Sequence, residues 1–213
     1  LGSGATSFAS TVGSTNALGA ISITGPTTLN GNVTTKNADI TLTGAVTLAA
    51  HTVLNAGNGN INFGSTVNGG FNLTANAASL GFTGAIGGTT RLGVVSLTSV
   101  NALSLPAITA GTIFARSTGG TSNLTLGGNL NANTVTTTPV TLVAGQDFIN
   151  TGNYTISVGA NRWLIYSTNR SGTNQGTLVE AFRRYTCSYS GACPALASGN
   201  GMLFSYTPIL SIT

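Results

Sequence analysis

The chain has 213 residues, of which 5% are charged and 41% hydrophobic, with 30 glycines and a formal net charge of +4. That apolar content argues against disorder, and charge this sparse argues against the concentrated basic patch of a nucleic-acid binder. Runs such as GVVSLTSVNALSLPAI are broken every two or three residues by Ser, Asn or Gly, so no segment supplies the roughly 20 continuous apolar residues of a membrane helix.

The amino-terminal stretch LGSGATSFASTVGSTNALGA holds only Phe8, Val12 and Leu18 as apolar anchors among small residues. It carries neither an initiator methionine nor a charged-then-apolar leader, as expected of a processed or excised piece. From Ile21 onward an apolar–polar–apolar triplet recurs before a small or turn-forming residue: ISITG at 21, ITLTG at 40, INFGS at 61, LGFTG at 80, LSLPA at 103 and LTLGG at 124. Alternation with period two marks a strand with one buried face. A second apolar position follows five or six residues after each repeat start (Val46, Val67, Ile86, Ile108, Leu130). A third group follows later (Leu54, Leu73, Val94, Phe114). One such turn cannot bury its own side chains, but stacked turns can. The pattern therefore predicts an all-β solenoid of six to seven coils over residues 1–160. Ile40, Ile61, Leu80, Leu103 and Leu124 form one interior rank, and Leu42, Phe63, Phe82, Leu105 and Leu126 a second. Gly and Asn suit tight corners, and the scarcity of charge follows from in-register stacking, which would set like charges about 5 Å apart.

The chemistry changes near residue 161. Before it there is no tryptophan, and the charged side chains are Lys36, Asp39, Arg91, Arg116 and Asp147. After it come Arg162, Trp163, Arg170, Glu180, Arg183, Arg184 and both cysteines. Residues 161–213 read as a closing cap, because an open solenoid end exposes strand edges and the last rung of the core. Trp163, Tyr166, Phe182, Tyr185, Met202 and Phe204 suit a terminal hairpin layer or cap. Trp163, Tyr166, Arg183, Arg184 and Tyr185 form a candidate ligand or partner surface, with Trp163 read first as a capping residue and second as a sugar-stacking platform. Cys187 and Cys193, in C-x5-C spacing without companion ligands for zinc, read as a short disulfide loop, with two free thiols as the alternative.

Nothing in the sequence calls for a cofactor or a metal. Glycoside hydrolysis needs paired carboxyl groups; Asp39 and Asp147 are expected about five coils apart, too far for a shared site, which leaves Asp147 with Glu180 near the cap as the one remaining pair. His51 lacks a catalytic context. The expected function is non-enzymatic, structural or adhesive. A carbohydrate-binding or polysaccharide-processing β-helix is the alternative, and an ice-binding solenoid is disfavoured by its broken threonine rank.

NRWLIYSTN (161–169), FRRY (182–185) and SGNGMLFSYTPILSIT (198–213), with the charge-poor repeats before them, resemble two-partner-secretion adhesins of the filamentous haemagglutinin type. The resemblance implies a right-handed parallel β-helix, export across a bacterial outer membrane, and a cell-surface, extracellular-matrix or biofilm role. The amino-terminal secretion domain of that family is absent, so the chain is expected to be a carboxy-terminal part of a longer precursor. Its expected partners are copies of itself in a head-to-tail polymer, preceding coils, or host and matrix glycans, with neither nucleic acid nor membrane insertion. MLFSYTPILSIT (202–213) is the strand expected to supply a self-contact.

Overall fold

The computed structural model describes residues 4–134, 136–191, 193 and 195–207. Among these, every strand pairing is parallel, and the strands stack as a β-solenoid of about nine turns. The repeat count of six to seven falls short because the terminal turns are written in other residues than the triplet. The first rung uses Thr6–Phe8 and a bridge from Val12 to Val33, and the last use Trp163–Ser167 and its successors.

Three strand positions recur in each turn. The first holds Thr6–Phe8, Thr27–Leu29, Val46–Leu48 and Val67–Asn68, and bridges through Ile86 to Ile108 carry it on to Leu130–Ala132 and Ile156–Ser157. The second is the long ladder: Val33–Thr34, Thr52–Asn55, Leu73–Ala77, Leu92–Ser99, Ile108–Ser117, Val140–Val143 and Trp163–Ser167, closed by Gly201–Phe204 and Phe182–Arg184. The third holds the triplets, Ile21–Ile23, Ile40–Leu42, Asn60–Phe63 and Ser79–Phe82, then Leu103–Leu105, Leu124–Leu126 and Phe148–Ile149. It divides between Ser79–Phe82 and Leu103–Leu105, which lie adjacent without a ladder.

The interior ranks expected from the triplets are in register within each part: Ile40 on Ile61 on Leu80, Leu42 on Phe63, and Leu103 on Leu124. All are buried except Phe82, which is half-buried and stacks on Phe63 with centroids 5.3 Å apart. Phe63, at 1% exposure, is therefore the more sensitive core position.

Corners explain the asparagines. Side-chain oxygens of Asn32, Asn37, Asp39, Asn68 and Asn72 accept the backbone N–H of Val53, Asn58, Asn60, Thr89 and Val94, each one turn further on, at 2.8–3.0 Å. His51 does the same through Nδ1 toward Asn72 N at 3.0 Å, which places its proton on Nε2. Its ring also lies edge-on to Phe71. Each bond satisfies a donor that the bend removes from the ladder. Gly87 shows the opposite constraint. Its φ of 73° and the Thr109 carbonyl, 2.0 Å from where a Cβ would stand, leave room for glycine alone.

The closing segment departs from a hairpin layer. Trp163–Ser167 pairs in parallel with Val140–Val143, continuing the stack past residue 160. Gly201–Phe204 then inserts between Trp163–Ser167 and the earlier Phe182–Arg184, again in parallel. Met202, Leu203 and Phe204 are fully buried inside the chain's own sheet, so that part of MLFSYTPILSIT is not a free contact strand. Residues 208–213 lie outside the described residues.

Candidate functional site

The long ladder has two faces. Trp163, Ile165, Met202 and Phe204 point into the solenoid core. Leu164 and Leu203 point outward and form a second apolar cluster with Phe182 and Cys187, against which Tyr166, Cys193, Leu196 and Ala197 pack. The Cys187–Cys193 disulfide, with Cα atoms 4.5 Å apart, closes the loop that lies over this outer face. Strands covered on both faces lose polar alternation, and this is why WLIY and MLF read as continuous apolar runs.

At the edge of that loop, Tyr189 reaches back across the outer face. Its ring lies 5.4 Å from Tyr166, edge-on, and 5.6 Å from Phe114. The Arg116 guanidinium sits 5.7 Å from the ring centre. Arg116, Tyr166 and Tyr189, together with Ser117, Thr118, Thr168, Ser188, Ser190 and Ser205, line a cleft of about 170 Å³. The Nε of Arg116 is buried and meets no acceptor, and its register neighbours Thr98 and Val143 carry no charge. Burial, and then Tyr189 alongside, push the Tyr166 phenol above its ordinary pKa, with Arg162 opposing, so the hydroxyl keeps its proton at neutral pH.

The five residues singled out from the sequence do not form one surface. Trp163, at 2% exposure, belongs to the core and presents no face to a sugar. Tyr185 stacks on Phe204 at 5.5 Å, half-buried at the end of the column. Arg183 pairs with Glu180 and reaches Gln175 Oε1. Arg184 lies over Phe182. Only Tyr166 faces the cleft. Of the remaining arginines near the end, Arg162 donates to Thr138 Oγ1 and the Ala197 carbonyl, beside a larger groove of about 480 Å³, and Arg170 to the Thr173 carbonyl. Arg116, Phe114 and Tyr189 escaped the sequence reading. The usable signal was register, since Arg116, Val143 and Tyr166 occupy one outward column.

Each carboxylate has a local structural setting. Asp39 accepts the Asn60 N–H at a corner. Glu180 accepts from Gln175 Nε2 at 2.6 Å and pairs with Arg183. Asp147 is buried against the backbone of Gly172, with Oδ1 unpartnered. Among the described residues no three His, Cys, Asp or Glu side chains gather where a metal ion would sit.

Comparison of the chain with protein-family models, with curated proteins and with solved structures finds no match. The fold alone defines the class, a parallel β-solenoid.

Proposed function

We propose that this chain is a non-enzymatic extracellular protein, structural or adhesive, in which the solenoid serves as a surface stalk or as a unit of a self-assembling fibre. The observation that carries the reading is the local engagement of each of the three carboxylates. Asp39 accepts a backbone N–H at a corner, Glu180 is paired with Arg183, and Asp147 is buried, so each is held in a separate structural setting and not presented as one of the two carboxyl groups that glycoside hydrolysis uses. The disulfide supports an oxidising exterior. The likeness of the closing segment to filamentous haemagglutinin-type exoproteins supports a bacterial surface or matrix setting, with the chain's own copies, preceding coils or matrix glycans as partners.

The test pairs attachment with turnover. Beads coated with the chain are expected to adhere to polysaccharide-coated glass while releasing no reducing ends from it. Release of reducing ends that Glu180→Gln or Asp147→Asn abolishes would replace this reading with a polysaccharide-processing one.

A further inference from the structure

We propose that the cleft at Arg116 binds the carboxylate-bearing sugar of an acidic polysaccharide, a hexuronate unit. This inference rests on the adhesive reading and gives it a ligand class. Arg116 has no acid beside it in its register column, and its buried Nε N–H lacks an acceptor. The enclosed Nε leaves the guanidinium without an internal acceptor, and a carboxylate entering the cleft supplies an opposite charge and acceptor oxygens to its terminal N–H groups. The Tyr189 ring lies against the guanidinium, its centre 5.7 Å from the guanidinium carbon, and a guanidinium is the group suited to two-point recognition of a carboxylate.

The rest of the cleft suits a sugar ring. The hydroxyls of Ser188, Ser190 and Ser205 line it and carry no hydrogen bond among the described residues. Tyr189 is 44% exposed and offers aromatic surface at the mouth. A volume of about 170 Å³ is below the roughly 300 Å³ at which drug-sized pockets begin, so it takes one ring. The outward column leading to Arg116 consists of Asn55, Asn76 and Thr98 in successive rungs. Amide and hydroxyl groups spaced at about 4.8 Å make a neutral track for the remainder of a glycan chain. A nucleic acid, with a phosphate at every residue, would want cations along that track.

The experiment is calorimetric titration of the oxidised chain with glucuronate, glucose, acetate and inorganic phosphate, and with an oligo-uronate. Glucuronate is expected to bind at least about tenfold more tightly than glucose, acetate or phosphate, and the oligo-uronate more tightly still. Arg116→Gln should remove that preference with the thermal midpoint held. Ser190→Phe, at the exposed loop tip, should block the cleft without touching the sheet. Equal binding of acetate or phosphate, undiminished glucuronate binding in both variants, or no binding at all would overturn the site. If coated beads still adhere to polysaccharide in those cases, the adhesive reading stands without it.

Discussion

At the residue scale, the corner asparagines act as fasteners between turns. Asn72 donates its N–H to His51 and accepts the Val94 N–H through Oδ1, linking three consecutive turns. Asn72→Ala removes the second bond at an exposed site, where water partly replaces it. The expected loss is about 0.5–1.5 kcal/mol by urea denaturation, against almost none for the exposed Asn131→Ala. Two carboxyl groups give opposite pH signatures. Burial pushes Glu180 up, but its own backbone N–H, Gln175 and Arg183 together outweigh that and hold it below the ordinary value. Its contribution is therefore present above the unfolded pKa, about 4.3, and is lost as pH falls through the lower folded one. Burial raises Asp147, only partly opposed by a hydrogen bond from the Asn169 backbone. Its ionisation thus destabilises the fold as pH rises from the unfolded value, about 3.9, through the folded one. Thermal midpoints across pH should show Glu180→Gln less stable than the parent at neutrality, with the gap closing in acid. Asp147→Asn should be more stable at neutrality, and that advantage should also close in acid.

At the scale of elements, a single-faced strand and a double-faced strand respond differently to substitution. Phe63 occupies the inner face of Asn60–Phe63, and Phe63→Ala should cost about 3–5 kcal/mol in denaturant unfolding. Leu203 lies on the outer face of Gly201–Phe204 and is buried only because the disulfide loop covers it. Replacing both Cys187 and Cys193 by serine should lower stability by about 2 kcal/mol through lost loop closure. It should also raise hydrogen exchange across the outer groups of the loop while the triplet strands stay protected. Unchanged exchange around residues 186–200 would contradict the role given to the loop. These contrasts mark how far the sequence could be read. ITLTG and LTLGG disclose their buried face because alternation is a property of one strand. WLIY discloses that something changes but not what covers it, since the cover is a loop returning from beyond Phe182. The asparagines read as turns, yet the backbone donors that their side-chain oxygens accept lie a full turn away. Arg116 and Tyr189 meet only because that same loop folds back, which no local pattern encodes.

At the scale of the molecule, the two ends of the stack differ in chemistry. One inward column runs through Val12, Val33, Leu54, Ala75, Leu97, Ala115, Leu142, Ile165 and Met202 and finishes on Arg183. There the apolar core ends beneath Leu178 and Tyr185, and the guanidinium is tied to Glu180 and Gln175. An inward position filled by a charge on an edge strand discourages the addition of another strand. At the opposite end Phe8, Val12 and Ile21 are only half-buried, and Leu18 is 38% exposed. Among its described residues that rung has no charged side chain to repel a further coil. Of the two forms proposed, a solenoid with one receptive rung and one guarded rung favours the single stalk over the fibre, because end-to-end growth needs both surfaces to accept a strand. Replacing the guard should change that. Arg183→Leu completes the apolar column and leaves Glu180 without its cation, so it should turn a predominantly monomeric preparation into one that elongates head to tail with rising concentration. The same substitution combined with Val12→Lys should return it to monomer, since the charge now sits at the other end. Light scattering and negative-stain microscopy of the three chains measure this directly. Fibres in the parent as abundant as in Arg183→Leu would show that the guanidinium does not guard the edge, and elongation that survives Val12→Lys would place the contact elsewhere.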